Sequence, residues 1–429
     1  MTCANSKENK SESIPKRYFG LMQAAFAIFL AVLLAPTQHY SFFGDDRISF
    51  LQASKIEHDA GAIWGLNANR RRHPVFFLLL FFESKMFGPN PFWYFAVLFF
   101  IHFLNSVLVV KLARRCGADY LSALLGGLLF LCSSSSFQSL IFIPSTVIQL
   151  SLLFSLLGIH AWMDLLAGVR YSYAKTLFFL ALSLLSYEAG MVFPLLAILL
   201  TWLYVPGAEE RKTVVLKFVM PMVLITIPLV CFLLYDFSLT RDFTEKFSAQ
   251  ALHLLPLKLL SLVNMLLGSL FMPANILLIL KTLDYRLTRI LPILLCGSFG
   301  VVFLMRKKLL THYFYGISPR LITLGGGWIG VSVLPYLATQ WTFEHASRYL
   351  YFATVGFCMV FGVFAGRVWY LVDKAHSRTA RIFCASVLCY LLGQNVLSTA
   401  FHYERYQQYL LKHPRVCYNE QVRSLFAES

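Results

Sequence analysis

Apolar runs about as long as a lipid bilayer is thick recur along most of this 429-residue chain. A helix crossing the hydrocarbon core needs roughly 20 apolar residues, with about 17 to 25 tolerated. Within that core every backbone N–H and C=O must bond inside the protein, so only helices and closed barrels can span it. Unbroken runs of this length select helices. They are predicted over 18–36, 91–111, 120–137, 144–164, 217–235, 321–340, 349–371 and 382–401, with shorter ones over 173–187, 190–206 and 290–305. Composition agrees: 58% of residues are hydrophobic and 14% charged, against roughly 25% charged in a soluble domain. Aromatics reach 16%, mostly Phe, which suits lipid-facing surface and interfacial belts.

Charge orients the spans. The chain carries 37 Lys and Arg against 21 Asp and Glu, a net +16. These cations cluster at the ends of apolar runs, so the positive-inside bias and anionic lipid account for them, and no separate basic surface indicates nucleic acid. Lys16-Arg17 precede the first run, which is too long for a usual signal-peptide core and reads as a retained anchor with the N-terminus in the cytoplasm. Lys111-Leu112-Ala113-Arg114-Arg115, Arg211-Lys212, Arg306-Lys307-Lys308 and the stretch from Arg367 to Arg381 then fall on the cytoplasmic side. They do so together only if 74–87, a 14-residue run interrupted by Glu83 and Lys85, does not cross. That run is expected to be interfacial or re-entrant, and 256–280 interfacial or a hairpin broken near Pro273.

The resulting expectation is an all-α integral membrane protein of about 11 transmembrane helices. Its parts are a cytoplasmic tail at 1–17, a single polytopic domain at 18–401 and an extracytoplasmic tail at 402–429. The outer side receives the loop 37–90, the Ser186-Tyr187-Glu188 corner, the loop 236–289 and the segment from Glu344 to Arg348. Nine cysteines are scattered without a CxxC pair, mostly in apolar runs, and indicate neither a disulfide framework nor a zinc site.

Several polar groups stand where they are costly. Gly44-Asp45-Asp46-Arg47 follows the first span closely. Two adjacent carboxylates near lipid need pairing or hydration, and consecutive side chains diverge. One would face a reactant, the other a metal, a lipid phosphate or a structural partner; a solvated turn is the plainer alternative. Arg70, Arg71 and Arg72, with His73 and Pro74, lie outside against the positive-inside bias. Guanidinium forks match phosphate oxygens, so these three read as a phosphate grip or as interfacial anchors. Glu188 sits between two apolar segments and reads as cavity-lining. Arg348 opens an apolar run and either snorkels or binds phosphate. His102 and Asn105, inside a span, are cavity-lining candidates, although interhelical hydrogen bonding is the commoner use of such groups. Gly325-Gly326-Gly327 reads as a close-packing surface. HExxH, P-loop, GxSxG and dinucleotide-turn patterns are absent from the sequence.

In order along the chain, several of these segments resemble the GT-C membrane glycosyltransferases that use polyprenyl-phosphate sugars, in particular protein O-mannosyltransferase-like membrane domains. Phe43-Gly44-Asp45-Asp46-Arg47 is similar to the family's first-loop acidic motif. Arg72-His73-Pro74, followed by Phe87-Gly88-Pro89-Asn90-Pro91, resembles its Arg-Pro segment and Phe-Gly-x-x-Pro continuation. His102-Phe103-Leu104-Asn105, Leu185-Ser186-Tyr187-Glu188 and Arg348-Tyr349-Leu350-Tyr351 resemble its His-Leu-Leu-Asn stretch, Ser-Lys-Glu corner and Arg-Tyr-Leu-Tyr element. The resemblance covers roughly residues 18 to 405. Tyr187 stands where Lys is usual, His73 separates Arg72 from Pro74, and no tetratricopeptide array follows.

The resemblance implies a hexosyltransferase on the extracytoplasmic face, inverting, with a polyprenyl-phosphate sugar as donor and a protein, lipid or glycan hydroxyl as acceptor. That face belongs to the cytoplasmic membrane in a bacterium and to the endoplasmic reticulum in a eukaryote. Asp45 becomes the general base, Asp46 holds a divalent metal or an acceptor group, and Arg348 with Arg70 to Arg72 stabilises the departing phosphate. Two rivals are a lipid or solute transporter and a ligase or polymerase using a diphosphate-linked donor. Paired halves with broken helices would favour the transporter, and the sequence has no such internal symmetry.

Overall fold

The computed structural model describes residues 16–34, 37, 42, 46–64, 73–239, 254–268, 270, 318–337, 347–374 and 378–412. Among these residues the regular structure is entirely helical. The α-helices are α1 (Lys16–Leu34), α2 (Asp46–Ser54), α3 (Pro74–Phe87), α4 (Pro91–Arg115), α5 (Tyr120–Cys132), α6 (Gln138–Ile141), α7 (Thr146–Leu166) and α8 (Ser172–Ser186). They continue with α9 (Phe193–Tyr204), α10 (Ala208–Val214), α11 (Met220–Leu239), α12 (Leu255–Val263), α13 (Pro319–Leu337), α14 (Tyr351–Lys374) and α15 (Arg378–Lys412).

Local chemistry sets the helix ends. Asn90 caps α4 by accepting from the Phe92 N–H at 3.1 Å, and Pro91 fills the first helical position, where no N–H is needed. Asp119 caps α5, accepting from Ser122 N at 2.9 Å and Ser122 Oγ at 2.6 Å. Helix α5 stops at Cys132, short of the predicted run to 137, because Ser133 to Ser135 turn their hydroxyls to other partners. Ser134 donates to Asn395 Oδ1 at 3.0 Å, and Ser135 exchanges a hydrogen bond with Thr354 at 3.0 Å. Helix α3 begins at Pro74 and ends at Phe87, capped by Gly88, whose φ of 57° a glycine adopts without strain.

Five stretches among the described residues are long and apolar enough to cross a membrane: Pro91–Arg115, Ile143–Leu166, Ala208–Cys231, Ser347–Lys374 and Arg378–Arg405. Shorter apolar helices, among them Tyr120–Cys132, Ser172–Ser186 and Glu188–Tyr204, pack with them. Pro74–Phe87 is a 14-residue helix, about 21 Å long at 1.5 Å per residue, below the roughly 30 Å of a hydrocarbon core. The predicted run 290–305 and the break near Pro273 lie outside the described residues.

The helix ends sort into two poles. At one, Arg115 pairs with Asp164 at 2.8 Å, joining the ends of α4 and α7. There Arg114 lies 3.6 Å over the Tyr120 ring, and Arg320, at the start of α13, faces the Tyr204 ring at the end of α9. This is the basic pole. His102 and Asn105 lie midway along α4, and Arg348 lies in the turn before α14.

Close backbone approach ties the centre together. Helix α14 packs against both α5 and α13. A Cβ on Gly362 would stand 2.6 Å from both Gly126 Cα and the Ser122 carbonyl oxygen, and one on Gly325 would meet the Gly356 carbonyl oxygen at 2.8 Å. Backbone cannot swing aside as a side chain can, so Gly362→Ala is expected to force α5 and α14 apart at about 1–3 kcal/mol. Its melting temperature in detergent should fall. Gly330→Ala, which meets nothing within 4 Å, should leave the melt unchanged or higher, and equal melts for the two variants would refute this packing account.

Candidate active site

The first loop folds back onto α3. Phe42, Phe50 and Tyr94 meet edge to face with centroids 4.9 to 5.7 Å apart. The Tyr94 hydroxyl donates to the Gly88 carbonyl at 2.8 Å, and Gln52 Nε2 donates to the Ala62 carbonyl at 2.5 Å. Lys85 of α3 bonds Glu57 at 2.6 Å and holds that exposed carboxyl below its ordinary pKa. This scaffold places Asp46 as the first residue of α2 with its side chain 1% exposed. A buried carboxylate suits that place, because free N–H groups and the helix dipole both favour negative charge there. Asp45 and Arg70 to Arg72 lie outside the described residues, as do Glu344 and His345.

Glu83 lies buried in α3, the helix read as interfacial, and burial pushes its carboxyl up to about 8. The folded protein therefore holds a proton that the unfolded chain releases near pH 4.5. Stability from this group is full below that pH and is lost progressively as pH rises toward 8. Glu83→Gln, a mimic of the protonated form, should melt more nearly alike at pH 5 and pH 8 than the wild type does. A wild-type melt that rises across that range, with the variant unchanged, would contradict the assignment.

The Leu185 to Glu188 corner is fixed by a serine cluster. Ser183 reaches Ser151 Oγ at 3.0 Å and Ser155 Oγ at 2.8 Å, and donates to the Ser151 carbonyl at 2.9 Å. The Tyr187 N–H donates to the Ser183 carbonyl at 3.0 Å. Tyr187 is buried, while Glu188 is half-buried at the start of the 3-10 turn Glu188–Val192. His73 rests against Tyr187 with ring centroids 5.5 Å apart. The two positions at which this sequence departs from the resembled pattern thus touch, and their contact joins the Arg72-His73-Pro74 segment to the corner.

Arg348 lies half-buried in the 3-10 turn Ser347–Leu350, directly before α14. Its carbonyl accepts from Ser139 Oγ at 3.4 Å, and Ser347 Oγ accepts from the Gln138 N–H at 3.3 Å. Tyr349 stacks on Tyr336 at 4.3 Å and 11°, securing the turn to the end of α13. His102 and Asn105 are fully enclosed. His102 Nδ1 lies 2.7 Å from the Tyr351 hydroxyl and its Nε2 3.0 Å from the Leu131 carbonyl, while Asn105 Nδ2 donates to Tyr351 at 3.2 Å and to the Gln149 carbonyl at 3.0 Å. The two polar groups of α4 therefore bind the first residue of the helix that follows Arg348.

The elements bearing these residues share neighbours. Helix α2, with Asp46, rests on the turn Ile143–Ser145, which adjoins α6, and α6 meets the Arg348 turn. The Glu188 turn and the Arg348 turn both contact α13. Sequence reasoning quoted Tyr351 only within a motif and gave no role to it, to Gln149 or to Ser139. A glutamine inside an apolar span was a signal for Gln149, whereas the Tyr351 pairing shows only once α4 and α14 are packed. Among the described residues no three His, Cys, Asp or Glu side chains gather as metal ligands.

These features define a multi-pass, all-helical integral membrane protein whose Glu188 and Arg348 turns both pack on α13. No protein-family model and no curated protein matches the chain. Among solved structures it is similar to apo ArnT from Cupriavidus metallidurans, with TM-score 0.49 and 15% identity over 96% of this chain and 78% of that one. It is also similar to the Archaeoglobus fulgidus oligosaccharyltransferase in complex with zinc and sulfate, with TM-score 0.46 and 11% identity over 89% of this chain and 52% of that one.

Proposed function

We propose that this protein is a GT-C-type membrane glycosyltransferase that moves a sugar from a polyprenyl-phosphate donor to an acceptor hydroxyl on the extracytoplasmic face, with inversion. The observation that supports the reading is that segments resembling the family's motifs pack in pairs: His73 against Tyr187, and Tyr351 against His102 and Asn105. These segments lie far apart in sequence, and a shared site is a physical reason for them to meet.

In the proposed reaction the acceptor oxygen attacks the anomeric carbon from the face opposite the phosphate. The new C–O bond forms as the bond to the phosphate oxygen breaks. Asp45 takes the acceptor proton, and the polyprenyl phosphate leaves with the bonding electron pair. Arg348, with Arg70 to Arg72, stabilises the charge that develops on it. Preorganised cations in a partly dry site do this at little cost in reorganisation. Asp46 orients the acceptor side and Glu188 lines the donor side.

The test is purified protein with sugar-labelled polyprenyl monophosphate and diphosphate donors and a panel of hydroxyl acceptors, the product read by NMR. Transfer from the monophosphate with inverted anomeric configuration is the expected result. Use of the diphosphate donor alone, or retention of configuration, would overturn the reading.

A further inference from the structure

The contacts behind Arg348 close into a ring. Tyr351 accepts from Asn105 Nδ2 at 3.2 Å, and Asn105 Nδ2 also donates to the Gln149 carbonyl at 3.0 Å. Gln149 Nε2 donates to the Ser139 carbonyl at 2.5 Å, and Ser139 Oγ donates to the Arg348 carbonyl at 3.4 Å. Three residues of chain then lead from Arg348 back to Tyr351. The ring draws on α4, α6, α7 and α14, so four helices jointly fix one short turn.

Donor and acceptor roles give the ring a direction. The Leu131 carbonyl can only accept, so His102 Nε2 carries a proton toward it at 3.0 Å. In the neutral ring Nδ1 is then the acceptor, and the Tyr351 hydroxyl, already accepting from Asn105, donates its own hydrogen to Nδ1 at 2.7 Å. One tautomer and one hydroxyl orientation satisfy every one of these contacts. Among the described residues Asn105 Oδ1 and Gln149 Oε1 stay buried without a partner, so the ring is held through its donors, and removing one member strands further buried groups.

We infer that Tyr351, held by His102 and Asn105, is a positioning residue that fixes the Arg348 turn for binding the donor's lipid phosphate. The inference rests on the phosphate role proposed above for Arg348. Tyr351 touches no reactant in this account and acts only through the turn. Misplacement of a catalytic group by about 1 Å can cost on the order of 100-fold.

The experiment is a double-mutant cycle in full-length protein, with undecaprenyl phosphate and dolichyl phosphate as phosphate probes and the corresponding polyprenols as phosphate-free controls. Tyr351→Phe keeps the ring packing and removes only the hydroxyl. Affinity for the phosphate probe should fall by roughly 10-fold in wild type and by under about 2-fold in an Arg348→Ala background; polyprenol binding should not change in either. A fall by the same factor in both backgrounds makes Tyr351 merely structural and overturns the inference while sparing the phosphate role. Full phosphate affinity in Arg348→Ala alone removes that role, and the inference with it. Ser139→Ala, which cuts the ring at the Arg348 carbonyl, gives the same cycle should Tyr351→Phe not fold; additivity there is equally fatal.

Discussion

Asp45→Asn is expected to lower sugar transfer by about 1,000-fold while protein yield and melting temperature stay near wild type. A positioned general base contributes roughly 10²- to 10⁴-fold, and the amide keeps the shape of the carboxylate but cannot take the acceptor proton. The neighbouring residue supplies the contrast. Asp46 is buried as the first residue of α2, where a carboxylate also serves the helix N-terminus. Asp46→Asn should therefore cost stability as well as rate, and Asp45→Asn rate alone. Near-normal turnover in Asp45→Asn, with donor and acceptor saturating, would remove it from the base role. A shared loss of both yield and rate would make the pair a structural unit.

Arg348→Ala carries the second large effect. Loss of one preorganised electrostatic group facing developing charge costs on the order of 10²- to 10³-fold in rate. Because the donor's phosphate is the charge concerned, donor KM should rise and kcat fall, with acceptor KM unchanged. Arg348→Lys should restore only part of the rate, since a point charge does not reproduce the planar fork. A defect confined to acceptor KM would place Arg348 on the wrong side of the reaction.

Much of the architecture was legible in the sequence because membrane insertion is a strong and local constraint. The run 91–111 became Pro91–Arg115 and the run 349–371 became Tyr351–Lys374, with the basic residues extending each helix past its apolar core. The segment 74–87 is a helix of that very extent, since Pro74 starts it and Gly88 stops it. The run 120–137 was read too long, because hydropathy does not register that Ser134 and Ser135 prefer bonds to Asn395 and Thr354 over another helical turn.

The sequence nominates the charged candidates and not the residues packed around them. Asp46, Glu188 and Arg348 announce themselves as ionisable groups at span ends. Tyr351 does not, because a tyrosine at the start of an apolar helix is an ordinary interfacial residue until α4 presents His102 and Asn105 to it across 246 to 249 positions of sequence. The contact of His73 with Tyr187 was equally hidden. Each residue looked like a separate departure from the resembled pattern, and packing alone makes them one feature.

The central claim is that a sugar leaves its lipid carrier here. It is tested most directly with purified protein in sealed vesicles and a polyprenyl-phosphate sugar labelled separately on the sugar and on the phosphate. The account predicts that the sugar label passes to a hydroxyl acceptor supplied on one side while the phosphate label stays with the lipid. Both labels crossing the bilayer together on an intact donor, with no product formed, would contradict it.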